Sequence, residues 1–153
     1  MLFNSHGGQP QVMEIVAREL RVRLGMLVVG YSWYAAGIPP GLFAEEEVRH
    51  GIHAGAIETS MMLYLRPDLV RMDRARSFRP LMAEMAQDYA RLSPVGPGRL
   101  GWMAQDLHPS GACGDATDAD PERGRQLVEH AARALVELLV EVARFPLEKL
   151  RLQ

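Results

Sequence analysis

The chain has 153 residues, of which 48% are apolar and 24% charged, and its formal net charge is −2. This length suits a single domain with a core of its own, and the composition is that of a globular protein rather than a disordered or membrane-spanning one. Lys and Arg are scattered along the chain, so a nucleic acid is not expected as a partner. No apolar run reaches the ~20 residues of a membrane span, so a membrane is not expected either.

Cysteine usage and the N-terminus indicate the compartment. Cys113 is the single cysteine, which excludes an intramolecular disulfide and a cysteine-based zinc site. The first residues lack the charged and apolar regions of a signal peptide. The sequence therefore predicts a cytoplasmic protein in which Cys113 is a small, inert thiol.

The opening of the chain has the pattern of a strand, a helix and a second strand. The apolar start Met1–Phe3 stops at a cluster of turn-forming residues. Apolar residues at helical spacing then predict a helix over Pro10–Leu24, ended by Gly25. The compact run Met26–Tyr31 predicts a buried strand, which makes this segment a βαβ unit with a parallel pair.

The middle of the chain is more broken. Between Trp33 and His53, glycines and prolines predict a long loop, with a helical turn or two over Leu42–Arg49. The remaining predicted elements, in chain order, are a helix over Ala54–Leu65, a brief strand over Leu69–Arg71, a weak helix over Met82–Leu92, an irregular linker over Ser93–Gly98 and a strand over Leu100–Met103.

A long amphipathic helix is predicted over Pro121–Phe145. Asp120 precedes it as an N-cap, and Pro146 closes it. Together the elements predict one α/β domain over residues 1–153 that begins in the middle of its sheet, since a strand with no lead-in is unusual. An unpaired sheet edge of this kind favours association with further copies of the chain.

The first candidate site is the turn Asn4-Ser5-His6-Gly7-Gly8, between a predicted strand and a predicted helix. Ligands bind at this edge of parallel α/β sheets. His6 can offer a ring nitrogen to a metal there. The alternative is a loop histidine that only caps a turn.

The second candidate site is the segment from His53 to Ser60, which enters a helix. The imidazole of His53 and the carboxylate of Glu58 can converge on one cavity, one as acid or base and the other as its orienter or as a metal neighbour. The alternative is helix capping by Glu58 and its neighbours. The third segment, Gly114–Asp120, favours a structural turn with an N-cap.

Taken together, the three motifs resemble those of the creatininase family, from residue 1 to about residue 145. Asn4 to Gln9 resembles the family's Asn-Gly-His-Gly-Gly-Asn, and His53 to Ser60 resembles its His-Ala-Gly-Glu-x-Glu-Thr-Ser. The segment Gly114 to Thr117, with Gly124, resembles its Gly-Asp-Pro/Ala-x…Gly close.

The resemblance implies a parallel-sheet, three-layer α/β sandwich that lacks its N-terminal strands. It implies a metal-dependent amidohydrolase acting on a C–N bond in an amide, cyclic amide or peptide. It implies His6 as a metal ligand, for zinc, manganese or iron, and His53 and Glu58 as catalytic residues around the same cleft. It also implies a small-molecule amide substrate and a homo-oligomer.

Two departures from the family pattern keep an alternative open. Ala56 and Gly8 stand where many members carry carboxylates, and the family's upstream Glu-x-His and Asp ligands have no match in this chain. A catalytic metal normally needs about three protein ligands. The alternative is a non-catalytic module that binds a small ligand or a partner through an incomplete metal site.

Overall fold

The computed structural model describes residues 1–95 and 98–151. It divides into two compact units. The first combines Met1–Ile38 with the chain from Glu129 onward, and the second is Pro39–Val128. Among the described residues, no helix is both long enough and apolar enough to cross a bilayer.

The first unit opens with the predicted βαβ arrangement. Strand β1 (Leu2–Asn4) and strand β2 (Gly30–Ser32) are parallel and are connected by helix α1 (Pro10–Leu24). Pro10 occupies the first turn of α1, and Gly25 ends it in the left-handed region (φ 63°) with its amide donating to the Arg21 carbonyl.

Strand β2 is shorter than the predicted strand Met26–Tyr31. Its ladder runs from Leu2 opposite Gly30 to Asn4 opposite Ser32. The Leu2 amide also donates to the Val29 carbonyl, at 2.8 Å. Because β1 has only three residues, the residues before Val29 find no strand partner in the described structure.

Helix α6 (Pro121–Arg144) confirms the predicted terminal helix. The Asp120 carboxylate accepts a hydrogen bond from the Arg123 amide at 2.8 Å, so Asp120 is the predicted N-cap. Within the first unit, His130 on this helix bonds through Nε2 to the Ala36 carbonyl at 2.8 Å. Ala36 ends a short 3₁₀ turn, Trp33–Ala36.

The second unit consists of short elements. Its helices are α2 (Glu45–His50), α3 (Ala56–Leu65), α4 (Leu81–Asp88) and α5 (Ala104–Leu107). Its strands are β3 (Ser77–Phe78), β4 (Leu92–Ser93), β5 (Gly98–Arg99) and β6 (Gly114–Asp115). Strands β3 and β6 are antiparallel, whereas β4 and β5 are parallel. Its buried cluster is formed by Met82, Leu107 and Cys113, against which Ile52 and Trp102 pack.

Two predicted strands of this unit are wrong. Pro67–Leu69 forms a 3₁₀ turn, and the Val70 amide donates to the Pro67 carbonyl, so Leu69–Arg71 is not a strand. The fixed φ of proline suits the start of a helical turn. The segment Leu100–Met103 is also not a strand, because the Met103 amide donates to the Asp106 carboxylate at the start of α5.

The other predicted boundaries shift. Helix α4 ends at Asp88, and Leu92, the last residue of the predicted helix, pairs with Gly98 instead. Of the predicted irregular linker, Gly96 and Pro97 lie outside the described residues. The predicted turns over Leu42–Arg49 take the form of α2, and the helix predicted from Ala54 begins at Ala56.

Candidate active site

His6 lies in the first unit, on the turn between β1 and α1. The buried Asn4 side chain braces this turn, since its amide donates to the His6 carbonyl at 2.7 Å and its oxygen accepts from the His6 amide at 3.1 Å. The ring nitrogen Nδ1 of His6 accepts from the Gly8 amide at 3.1 Å. Nδ1 is therefore unprotonated, and in a neutral ring Nε2 carries the proton.

This hydrogen bond bears on metal binding by His6. A ring nitrogen ligates a metal through a lone pair, and here the Nδ1 lone pair is used by Gly8 while Nε2 carries the proton. The hydrogen bond from Gly8 is the kind of contact that the capping alternative describes. Ligation by either nitrogen requires the bond to Gly8 to open or the Nε2 proton to leave.

His53 lies in the second unit, half-buried just before α3. Its ring nitrogen Nδ1 lies 3.1 Å from the Gly111 carbonyl oxygen, which can only accept, so Nδ1 carries a proton. Its own carbonyl accepts from the Cys113 amide at 2.7 Å. The ring also packs 6.0 Å from that of Trp102, measured between centroids. The neutral imidazole is thereby fixed in the tautomer whose Nε2 has a lone pair for acid–base chemistry.

Glu58 lies on the first turn of α3. Its Oε2 accepts from the Ala54 amide at 2.9 Å, and Ala54 has a positive φ of 51°. An alanine in the left-handed region is unusual, so this bond holds a strained residue in place directly after His53. This hydrogen bond is the helix-capping contact expected of Glu58 under the alternative interpretation. It also fixes the turn that carries His53.

Glu47 is a buried carboxylate within the acidic run Glu45-Glu46-Glu47, and the sequence pattern does not single it out. It is 7% exposed. Its Oε1 accepts from the Ile57 amide at 3.2 Å, and its Oε2 accepts from the Asp115 amide at 3.0 Å. Glu47 therefore ties α2 to the start of α3 and to β6, and joins the second motif to the third.

Glycines leave the space that the Glu47 carboxylate fills. A Cβ at Gly114, which has a φ of +133°, would come within 2.6 Å of Oε2, and a Cβ at Gly55 would overlap the same carboxylate. These glycines are the available sequence signal for a buried side chain, but nothing local distinguishes Glu47 from its exposed neighbours.

The third motif is structural, as predicted. Asp115 accepts from the amide and the hydroxyl of Thr117, which closes a turn. The fully buried Ser60 hydroxyl accepts from the Asp120 amide at 2.9 Å. Gly124 permits the close approach of α6 to α3, because a Cβ there would overlap the Ser60 carbonyl.

The side chains described in residues 1–95 and 98–151 do not assemble a metal site, since no group of three His, Cys, Asp or Glu is placed to hold an ion. On their own these residues supply fewer donors than a catalytic metal takes, which is normally about three protein ligands. Cys113 is fully buried, and burial raises the pKa of its thiol, so it is neutral at physiological pH.

Comparison with known proteins gives concordant matches. The model of the family described as creatininase, creatinine amidohydrolase, matches residues 1–139. A mycofactocin precursor peptide peptidase from Mycobacterium ulcerans (strain Agy99) is 32% identical over 127 residues, which cover 83% of this chain and 42% of that protein.

Two solved structures are similar in fold. A putative creatinine amidohydrolase from Bacteroides fragilis NCTC 9343 has a TM-score of 0.69 at 22% sequence identity. The match covers 94% of this chain and 53% of that protein. A creatininase described as the Mn form has a TM-score of 0.61 at 25% sequence identity. The match covers 92% of this chain and 55% of that creatininase. The chain thus spans about half the length of these relatives.

Proposed function

The chain belongs to the creatininase family, and from that premise we propose that it functions in a metal-dependent amidohydrolase that hydrolyses a C–N bond in an amide, cyclic amide or peptide. The observation that carries the proposal is the fixed imidazole of His53, whose Nδ1 bonds to the Gly111 carbonyl. A peptidase among the relatives extends the proposed substrates from small amides to peptides.

His53 is the proposed general acid. When protonated on Nε2 it gives that proton to the departing nitrogen as the C–N bond breaks, while the oxygen of one water bonds to the carbonyl carbon. The proton that this water loses restores the protonated ring. The bond from Nδ1 to Gly111 keeps the ring in one orientation through this transfer. Glu58 supports the same turn through the Ala54 amide, which makes it the orienting carboxylate.

The proposed metal is zinc, manganese or iron, with His6 as the ligand from this chain. Its support is family membership, and the solved relatives include a creatininase described as Zn–Zn type and one described as Mn. The described donor groups do not complete such a site. For His6 to take part, its bond to Gly8 must open or its Nε2 proton must leave.

Several further features belong to the same proposal. Residues 1–153 form a single domain of the family. This domain belongs to a three-layer sandwich built on the parallel pair β1 and β2. The chain acts in the cytoplasm as a homo-oligomer, without nucleic acid or membrane as partners. The support is the parallel register, the single buried cysteine and the exposed apolar side chains of α1.

The test is hydrolysis by the purified chain, assayed with creatinine and with a short peptide amide. We expect release of product in the presence of Zn²⁺ or Mn²⁺ and its loss after treatment with a chelator. Product release that persists unchanged in the chelator would contradict the metal dependence.

The second candidate is a non-catalytic module, and the incomplete donor set favours it. It predicts no hydrolysis with either metal, together with retained binding of a substrate-like amide. Turnover of either substrate by the chain would exclude this candidate.

A further inference from the structure

A groove of about 360 Å³ opens beside the turn that carries His53. Ala54, which directly follows His53, lines it, and so does Ala112, which follows the carbonyl that holds the His53 ring. Glu58 lines it as well, but one of its oxygens is engaged by the Ala54 amide. The volume lies at the lower end of the range for small-molecule sites.

Two arginines contribute the positive charge of this groove. Arg71 and Arg74 both line it. Arg71 precedes the 3₁₀ turn Met72–Arg74, and the Arg74 amide donates to the Arg71 carbonyl at 3.0 Å. Both side chains are exposed, so both guanidinium groups are accessible from the solvent.

Neither guanidinium is neutralised within the described part of the chain. No ion pair or hydrogen bond joins the side chain of Arg71 or Arg74 to a carboxylate there, whereas nearby Asp68 is held by Arg66 in a two-pronged pair at 2.7 and 2.9 Å. Asp73 lies on the same turn but does not line the groove. Glu58 also lines the groove, so its lining carries two guanidinium groups against one carboxylate. This excess of positive charge favours an anionic ligand.

The rest of the groove is largely apolar. Leu69 is 60% exposed, and Met62 and Met72 are each 39% exposed, although all three line this one depression together with Phe78. Large apolar side chains that stay exposed around a concavity are typical of a binding surface. A ligand that covers them must therefore carry an apolar body as well as a negative charge.

We propose that this groove binds an organic carboxylate: its apolar body covers Leu69, Met62 and Met72, and its carboxylate is held by Arg71 and Arg74. The position of the groove rests on the proposed function, because it would place the ligand beside His53. In a hydrolase of C–N bonds the groove would then select substrates or products that carry a carboxylate. Binding of the carboxylate itself needs no turnover.

The test compares N-acetyl-L-phenylalanine with its neutral amide, N-acetyl-L-phenylalaninamide, by calorimetric or NMR titration of the whole chain. We expect the carboxylate to bind about tenfold more tightly than the amide at low salt, because charge-assisted bonds to arginine are lost in the amide. The double variant Arg71→Gln, Arg74→Gln should bind both probes equally weakly.

A matched control is Arg91→Gln, which changes an exposed arginine of the same unit that does not line the groove. It should keep the preference for the carboxylate. Equal binding of acid and amide by the unchanged chain, or an unchanged preference in a folded double variant, overturns the proposal. Since titration does not depend on hydrolysis, a chain that binds the acid but never turns over substrate contradicts only the proposed function.

Discussion

Glu47 is the residue on which the local geometry of the second and third motifs depends most directly. It is 7% exposed, and both of its oxygens accept backbone amides, from Ile57 and Asp115. We expect Glu47→Gln to lower the free energy of unfolding by about 1–3 kcal/mol, because the glutamine NH₂ would face an amide N–H and leave it unsatisfied. Urea titration measures this change.

The matched control is Glu46→Gln, which alters the exposed neighbour on the same helix. Its effect should stay within about 0.5 kcal/mol, as for surface substitutions in general. Equal stability of the two variants would mean that the Glu47 contacts do not hold α2, α3 and β6 together.

At the scale of elements, α1 is the helix with the least cover. None of its residues is buried, and Val12, Ile15 and Val22 are 60%, 59% and 67% exposed. Exposed apolar surface of this kind is typical of an interface. We expect the chain to form a homo-oligomer through this face, with a mass in light scattering that is a multiple of 17.0 kDa.

The double variant Val12→Lys, Ile15→Lys should reduce that mass by placing two charges in the contact. Gln11→Lys, an exposed polar position on the same helix, is the control and should leave the mass unchanged. A single-chain mass for the unchanged protein at working concentration contradicts the prediction.

For the molecule as a whole, the sequence predicts best where the determinants are local. The βαβ opening, the terminal helix and the Asp120 cap depend on periodicity, proline and capping residues, and the structure confirms each of them. The strand predicted at Leu69–Arg71 is wrong, because apolar character alone does not distinguish an exposed 3₁₀ turn from a short strand.

The candidate site is less accessible to sequence reasoning because its contacts span long stretches of chain. His53 was identified from its motif, but the Gly111 carbonyl that fixes its tautomer lies 58 residues away. Likewise, Asp115 is 68 residues from Glu47. Such pairings depend on the packed fold. In a run of three glutamates, the sequence alone does not distinguish the buried carboxylate from the exposed ones. Spacing alone leaves the role of His53 open, and the resemblance to the family implies one.

His53 is proposed to transfer the proton to the leaving nitrogen. The rate of amide hydrolysis by His53→Gln, compared with that by His108→Gln, tests this role. His108 is a half-buried histidine of the same unit whose Nδ1 lies 2.7 Å from the Ser110 hydroxyl oxygen. We expect His53→Gln to lower kcat by about 10²–10⁴-fold, the usual contribution of a general acid. His108→Gln should keep near-normal turnover. Equal turnover by the two variants, both folded, would contradict the account.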